Sequence, residues 1–199
     1  MTGHVDHLVW YAPDLAAGNR YFAQRMDRAP AYGGVHPGQG TANSLLGLGE
    51  ATYLEILTRD PAQDAAGWLD PELVAMAGQG LYHWAVAGVD LDDIIVRARR
   101  AGIETSQVVM GGRRKPDGGK LAWRLVGLRN HAFGALLPFF IDWGVSEHPA
   151  ASAPRGGSLL AVELHSPAAG GLSKLFETLG LAFTVHESRA PALVATLQG

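Results

Sequence analysis

The sequence predicts an α+β protein made of two βαβββ modules and a truncated third βαββ copy. Three observations carry this prediction. A histidine stands seven residues before an aspartate helix cap twice, at His7 and Asp14 and again at His83 and Asp90. Each aspartate opens an amphipathic helix that is followed by three strand-like runs, and self-similarity of this kind is the mark of duplicated units. The 199-residue length leaves room for two modules of roughly 100 residues.

The elements follow in order. Residues 4–11, His-Val-Asp-His-Leu-Val-Trp-Tyr, are rich in β-branched and aromatic types and read as a strand. Asp14 then caps a helix whose Leu15, Phe22 and Met26 recur at helical spacing, ending near Asp27. A weak strand over 31–35 precedes the turn-rich His36-Pro37-Gly38-Gln39-Gly40. Strands over 43–48 and 52–58, divided by Gly49-Glu50-Ala51, complete a first module spanning 1–58. Residues 59–80 read as a linker with a short helix, because Asp70-Pro71-Glu72 supplies a cap, a first-turn proline and an acid, and Gly78 a stop.

The second module spans 81–150. Its first strand is 81–87, and after Asp90 the residues Leu91, Ile94, Ile95, Ala98 and Ala101 make an apolar stripe closed by Gly102. Strands are expected at 108–110, 121–128 and 135–143, with 111–119, carrying Arg113, Arg114 and Lys115, as an exposed basic turn, read as solvated in preference to the alternative of an anion clamp. The third copy, 157–199, offers a strand at 159–165, a helix at 172–179 and two closing strands. Ala161 stands where the other copies have histidine, so it repeats the shape without the chemistry. Its open edge calls for cover from another element or from a second subunit, which would make a homodimer.

Composition narrows the function classes. Hydrophobic residues make up 47% and charged residues 18% of the chain, with a mean hydropathy of +0.05, which excludes disorder over its length. A formal charge of −3 argues against nucleic acid or an anionic membrane as partner. There is no cysteine, so disulfides, thiolate nucleophiles and Cys-type metal sites are out, and any metal must be held by His, Asp or Glu. No run of 18 apolar residues and no leader-like pattern occurs, so the expectation is a cytoplasmic protein.

Strand alternation puts Val5, His7, Val9 and Tyr11 on one face, with Leu8 and Trp10 on the other. The same rule sets His83 with Ala85 and Ala87, Glu55 with Tyr53 and Leu57, and Asp142 with Phe140. Aligning 53–57 with 139–143 places one acid in each closing strand, loose by one residue. The bulky faces would pack the helices and leave His7, Glu55, His83 and Asp142 facing the interior of a curved sheet. Buried carboxylates need a partner, a proton or a cation, and two imidazoles with two carboxylates suit a divalent metal with open positions. The plainer alternative is that these are satisfied structural residues. His131, His148, His165 and His186 follow no repeat position and are read as structural.

With these residues in view the chain resembles the glyoxalase-like domain proteins of the vicinal oxygen chelate superfamily. The likeness rests on Asp6-His7-Leu8-Val9-Trp10, on the stretch from His36 to Asn43, on Tyr53-Leu54-Glu55-Ile56 and on Leu137-Pro138-Phe139-Phe140-Ile141-Asp142-Trp143. It implies a fold in which paired modules form a curved mixed-sheet cup, as in glyoxalases and dihydroxybiphenyl dioxygenases. It also implies a metal bound by His7, Glu55, His83 and Asp142, although related enzymes usually place the longer Glu at the last position. The metal, whether Zn, Ni, Fe, Mn or Mg, would chelate two neighbouring oxygens of a small substrate for lyase or isomerase chemistry, with Glu55 or Asp142 as base and His36 and Asn43 as substrate contacts. Two rival readings stay open: a metal-free module that sequesters a small molecule, and an Fe(II)-dependent ring-cleaving dioxygenase.

Overall fold

The computed structural model describes residues 3–63, 78–115 and 118–199. Strand β1 (His4–Tyr11) leads into helix α1 (Leu15–Ala23), whose cap Asp14 accepts a hydrogen bond from Ala17 N at 2.7 Å. Strands β2 (Ala31–His36), β3 (Thr41–Gly47) and β4 (Tyr53–Arg59) follow. The pattern then recurs. Strand β5 (Gly80–Ala87) precedes helix α2 (Leu91–Arg100), whose cap Asp90 accepts from the Asp92 and Asp93 amides and which buries Leu91, Ile94 and Ala98 as the stripe predicts. After it come β6 (Glu104–Thr105), β7 (Val109–Arg114), β8 (Lys120–Val126), β9 (Leu128–Arg129) and β10 (Phe139–Asp142), with β6 and β9 forming a small ribbon. The expected helix at Asp70–Gly78 falls almost wholly outside the described residues.

Eight strands form one curved mixed sheet in the order β2-β3-β4-β1-β5-β10-β8-β7. Its edges approach each other, and the Arg113 guanidinium on β7 donates to the Gly33 carbonyl on β2 across the seam. The central antiparallel pair carries the symmetry: Val9 faces His83 and His7 faces Ala85. That register maps onto itself when the two halves are exchanged with His7 equivalent to His83, so the repeat read from the sequence is a pseudo-twofold of the sheet.

Two boundaries differ from the sequence reading. Residues 111–114 extend β7 and do not form a turn, which sets Arg113 in a strand. Residues 134–136 form a 3-10 turn, Gly134 having φ +51°, so β10 begins only at Phe139.

The third copy comprises β11 (Ser158–Ser166), α3 (Ala169–Leu179), β12 (Val185–Glu187) and β13 (Ala192–Gln198), with sheet order β12-β11-β13. It does not stand apart. Leu164, Leu172 and Phe176 share one core with Leu8, Trp84 and Phe140 from the convex, helix-bearing side of the large sheet, and Trp84 meets Phe183 edge-on at 4.7 Å. The convex side is thus dry and apolar, and chemistry is left to the concave side.

Candidate functional site

The concave face encloses a cavity of about 240 Å³. His7 and Val9 of β1, Asn43 of β3, Tyr53, Glu55 and Leu57 of β4, and His83 of β5 line it from the first half and the centre. The face assignments hold for His7 and Val9 of β1 and for β4 and β5, since Trp84 and Val86 turn to the convex core while Ala85 and Ala87 pack under the concave side, but Val5, beyond the irregularity next to His7, packs with the convex core instead.

Glu55 is 8% exposed and accepts a hydrogen bond from Asn43 Nδ2 at 2.6 Å. A carboxylate only accepts, so the amide nitrogen must face it. The same amide lies 3.2 Å from His36 Nε2, which makes that nitrogen an acceptor and leaves Nδ1 to donate to Thr41 Oγ1 at 2.9 Å. His36 is therefore the neutral imidazole. Burial pushes its pKa below the ordinary histidine value, with Glu55 opposing and Arg113 assisting. On the other side of Glu55, His7 Nε2 stands 3.7 Å from Oε2, while His36 Nε2 is 3.6 Å from Oε1. One carboxylate is thus flanked by two imidazoles.

The orientation of His7 is set by a residue the sequence reading passed over. Its Nδ1 donates to Asp6 Oδ1 at 2.6 Å, and Asp6 is wholly buried. The second oxygen of Asp6 accepts from Trp143 Nε1 at 3.0 Å and from His148 Nε2 at 3.1 Å. His148 Nδ1 accepts from the Ala150 amide, so its proton sits on Nε2. Burial alone would raise the Asp6 pKa, but the hydrogen bonds from His148 and His7 overcome it and hold the group well below the carboxylate range. Alternation assigns Asp6 to the opposite face; a register irregularity between Val5 and His7 turns it toward its partners. The His7 ring is further fixed by stacking on Tyr53, centroids 4.6 Å apart.

Of the expected site residues, His7, Glu55, His36 and Asn43 come together, and His83 lines the same cavity. Its Nδ1 accepts from the Trp84 amide at 2.9 Å. Asp142 does not join them. Phe140 packs into the convex core, and Asp142, on that same face, pairs with Arg124 at 2.5 Å and accepts from the Gly144 amide. The Arg124 bond lowers its pKa. The cavity instead receives Phe139, Ile141 and Trp143.

The sheet register explains this. Glu55 lies beside Val9 on the neighbouring parallel strand, and Phe139 lies beside Ala85 in the same way. Since Val9 and Ala85 exchange under the pseudo-twofold, Phe139 holds the position equivalent to Glu55. Its ring sits 5.3 Å from the His7 ring and 5.4 Å from that of His83. The donor set inferred for a divalent metal is therefore not assembled: its fourth corner is an aromatic ring, and among the described residues no group of three or more His, Asp or Glu is placed to hold an ion.

Comparison with known proteins agrees with this architecture. A hypothetical protein from Staphylococcus aureus superposes with a TM-score of 0.75 at 16% identity, covering 97% of this chain and 90% of that one. A methylmalonyl-CoA epimerase of Streptomyces coelicolor in complex with 2-nitronate-propionyl-CoA superposes with a TM-score of 0.51 at 21% identity, over 75% of this chain and all of that one. No curated protein matches the sequence. The family described as the glyoxalase-like domain matches residues 5–180. The chain belongs to the glyoxalase-like domain family.

Proposed function

We propose that the chain is an isomerase- or lyase-type enzyme that removes a proton beside a carbonyl of a small substrate, with Glu55 as the base. The observation that carries this is the buried Glu55 carboxylate at the cavity wall, fixed by Asn43 and flanked at 3.6 and 3.7 Å by His36 and His7. The Glu55 oxygen takes the proton, the C–H electron pair moves toward the carbonyl oxygen, and the enolate so formed is reprotonated or expels a leaving group. His7, held through Nδ1 by Asp6, presents Nε2 to the same space and can accept the proton from Glu55 or return it. The neutral His36 and the Asn43 amide keep Glu55 pointed at the cavity and serve as further substrate contacts.

The cavity volume of about 240 Å³ lies below the roughly 300–1,000 Å³ of pockets for drug-sized ligands, which supports a small substrate. The neighbour named as an epimerase supports the isomerase side of this reading by analogy of fold. The described residues do not fit a four-ligand metal centre, and the proton is handled by Glu55 and His7.

The test is wash-in of solvent deuterium next to the carbonyl in a panel of small oxo compounds, followed by proton NMR. Wild type should exchange at least one class of them with or without a chelator, and Glu55→Gln should be slower by about 10²–10⁴-fold. Exchange that survives Glu55→Gln would remove Glu55 as the base. Stoichiometric binding with no exchange would favour the sequestration reading.

A further inference from the structure

Arg113 differs from the other cations near the cavity. Along β7 the residues Val109, Gly111 and Arg113 turn inward while Met110, Gly112 and Arg114 face solvent, so the guanidinium is only 7% exposed and lines the cavity. Nearby cations are matched: Arg124 with Asp142 and Lys115 with Glu147. Arg113 forms no ion pair with a carboxylate among the described residues, and its one hydrogen bond goes from Nη1 to the Gly33 carbonyl. An arginine stays charged even when burial lowers its pKa, and a buried cation without a counter-ion costs several kcal/mol.

The surroundings make room for the group, and the negative charge of Glu55 acts on it across the chamber without a contact ion pair. Gly34, at φ +140°, would bring a Cβ to 3.3 Å from Nη1, so the absence of a side chain there leaves the space in which the guanidinium lies. Trp123, inward on β8, rests against Gly111, where any side chain would collide with the indole. Arg113 thus stands beside an aromatic wall, with Leu125 and Ile141 close by and the Glu55 carboxylate in the same chamber. The second hollow that Arg113 borders, lined also by Tyr32, Leu45 and Pro154, contains Lys115, which already has a carboxylate partner.

We infer that Arg113 binds a carboxylate of the substrate, so that the substrate class is small organic acids with an apolar body. One guanidinium fork, with Nε and Nη2 still to be matched, fits one planar carboxylate. The position of the acidic C–H relative to that carboxylate rests on the proton-transfer reading above, whereas the anion site does not.

The experiment is calorimetric titration with phenylacetate and its neutral isostere phenylacetamide. Wild type should bind the acid about tenfold or more tightly than the amide, the scale of a hydrogen-bonded ion pair. Arg113→Met should abolish the preference. Arg113→Gln, which can still donate to the Gly33 carbonyl, should abolish it too and guards against a folding defect in the first variant. Asp142→Asn, outside the cavity, should keep the preference, and because the titration involves no proton transfer, a failed proton-transfer reading and a failed anion site give different results. Equal affinities in wild type, no binding of either probe, or a preference that survives in both Arg113 variants would overturn the inference and leave Arg113 as a strap between β7 and β2.

Discussion

Replacing Asp6 by Asn changes one atom and removes a buried charge that three donors address. His7 Nδ1 meets one oxygen, and Trp143 Nε1 and His148 Nε2 meet the other. An asparagine has a single acceptor oxygen, so one of these directions must receive an NH2 group. With the oxygen kept toward Trp143 and His148, the amide donates to His7 Nδ1. The His7 proton must then move to Nε2, facing Glu55. Charge-assisted bonds to a buried group contribute roughly 1.5–3 kcal/mol each. Losing one and weakening two, offset by the easier burial of a neutral amide, gives a deficit of about 3 kcal/mol. At roughly 2–4 °C per kcal/mol for a chain of this length, the Tm should fall by about 6–12 °C at neutral pH. The deuterium-exchange rate should fall as well, by about 10²-fold, because the wrong ring nitrogen carries the proton.

The pH dependence has a definite sign. Asp6 has a native pKa lowered from the ordinary 3.8, so its stabilising effect is complete above that value and fades as the pH falls toward the lower native one. The gap between wild type and variant should therefore stay constant from neutral pH to about 4 and narrow below it. Equal melting at neutral pH, or a gap that widens on acidification, would refute the reasoning.

Two further outcomes follow from the concave wall. Phe139→Glu places a carboxylate at the position equivalent to Glu55, so the variant should take up about one equivalent of Zn²⁺ or Co²⁺, read by mass spectrometry and by the visible spectrum of the cobalt form. Wild type treated alike should not; equal uptake by both would show that the ring does not occupy a ligand position. Asp142→Asn, altering an ion pair on the opposite face of the sheet, should leave the exchange rate and the acid preference of the cavity unchanged, and a large loss of either would place Asp142 in the site after all.

The repeat was legible because capping and helix stripes are local signals: Asp14 and Asp90 declare the helix starts, and counting back from them finds His7 and His83. Glu55 followed from the period of two along a strand. The same rule misled at Asp142, since an alignment loose by one residue moves every side chain to the other face. Only the pairing of β10 with β5 settles that phase, and it is a long-range contact with no local trace. Asp6 was hidden by a register irregularity next to its own histidine. Arg113 was hidden among basic residues and glycines that resemble a solvated turn until β7 is paired with both β8 and the β2 edge. His148 reaches Asp6 from beyond the last strand of the module, a juxtaposition that no spacing rule encodes.

The shared core of the third copy bears on how the molecule comes into being on the ribosome. Leu8 and Trp84 are made early, but the surface that covers them includes Leu164, Leu172 and Phe176, which are made much later. Until those residues emerge, a growing chain with both halves of the large sheet would hold an uncovered apolar layer of Leu8, Trp84 and Phe140 to solvent or to a chaperone. The emergence of β11 and α3, not the pairing of β1 with β5, therefore sets the moment at which the convex side can close, and nascent chains stalled before β11 should be the sticky species in this protein's biosynthesis.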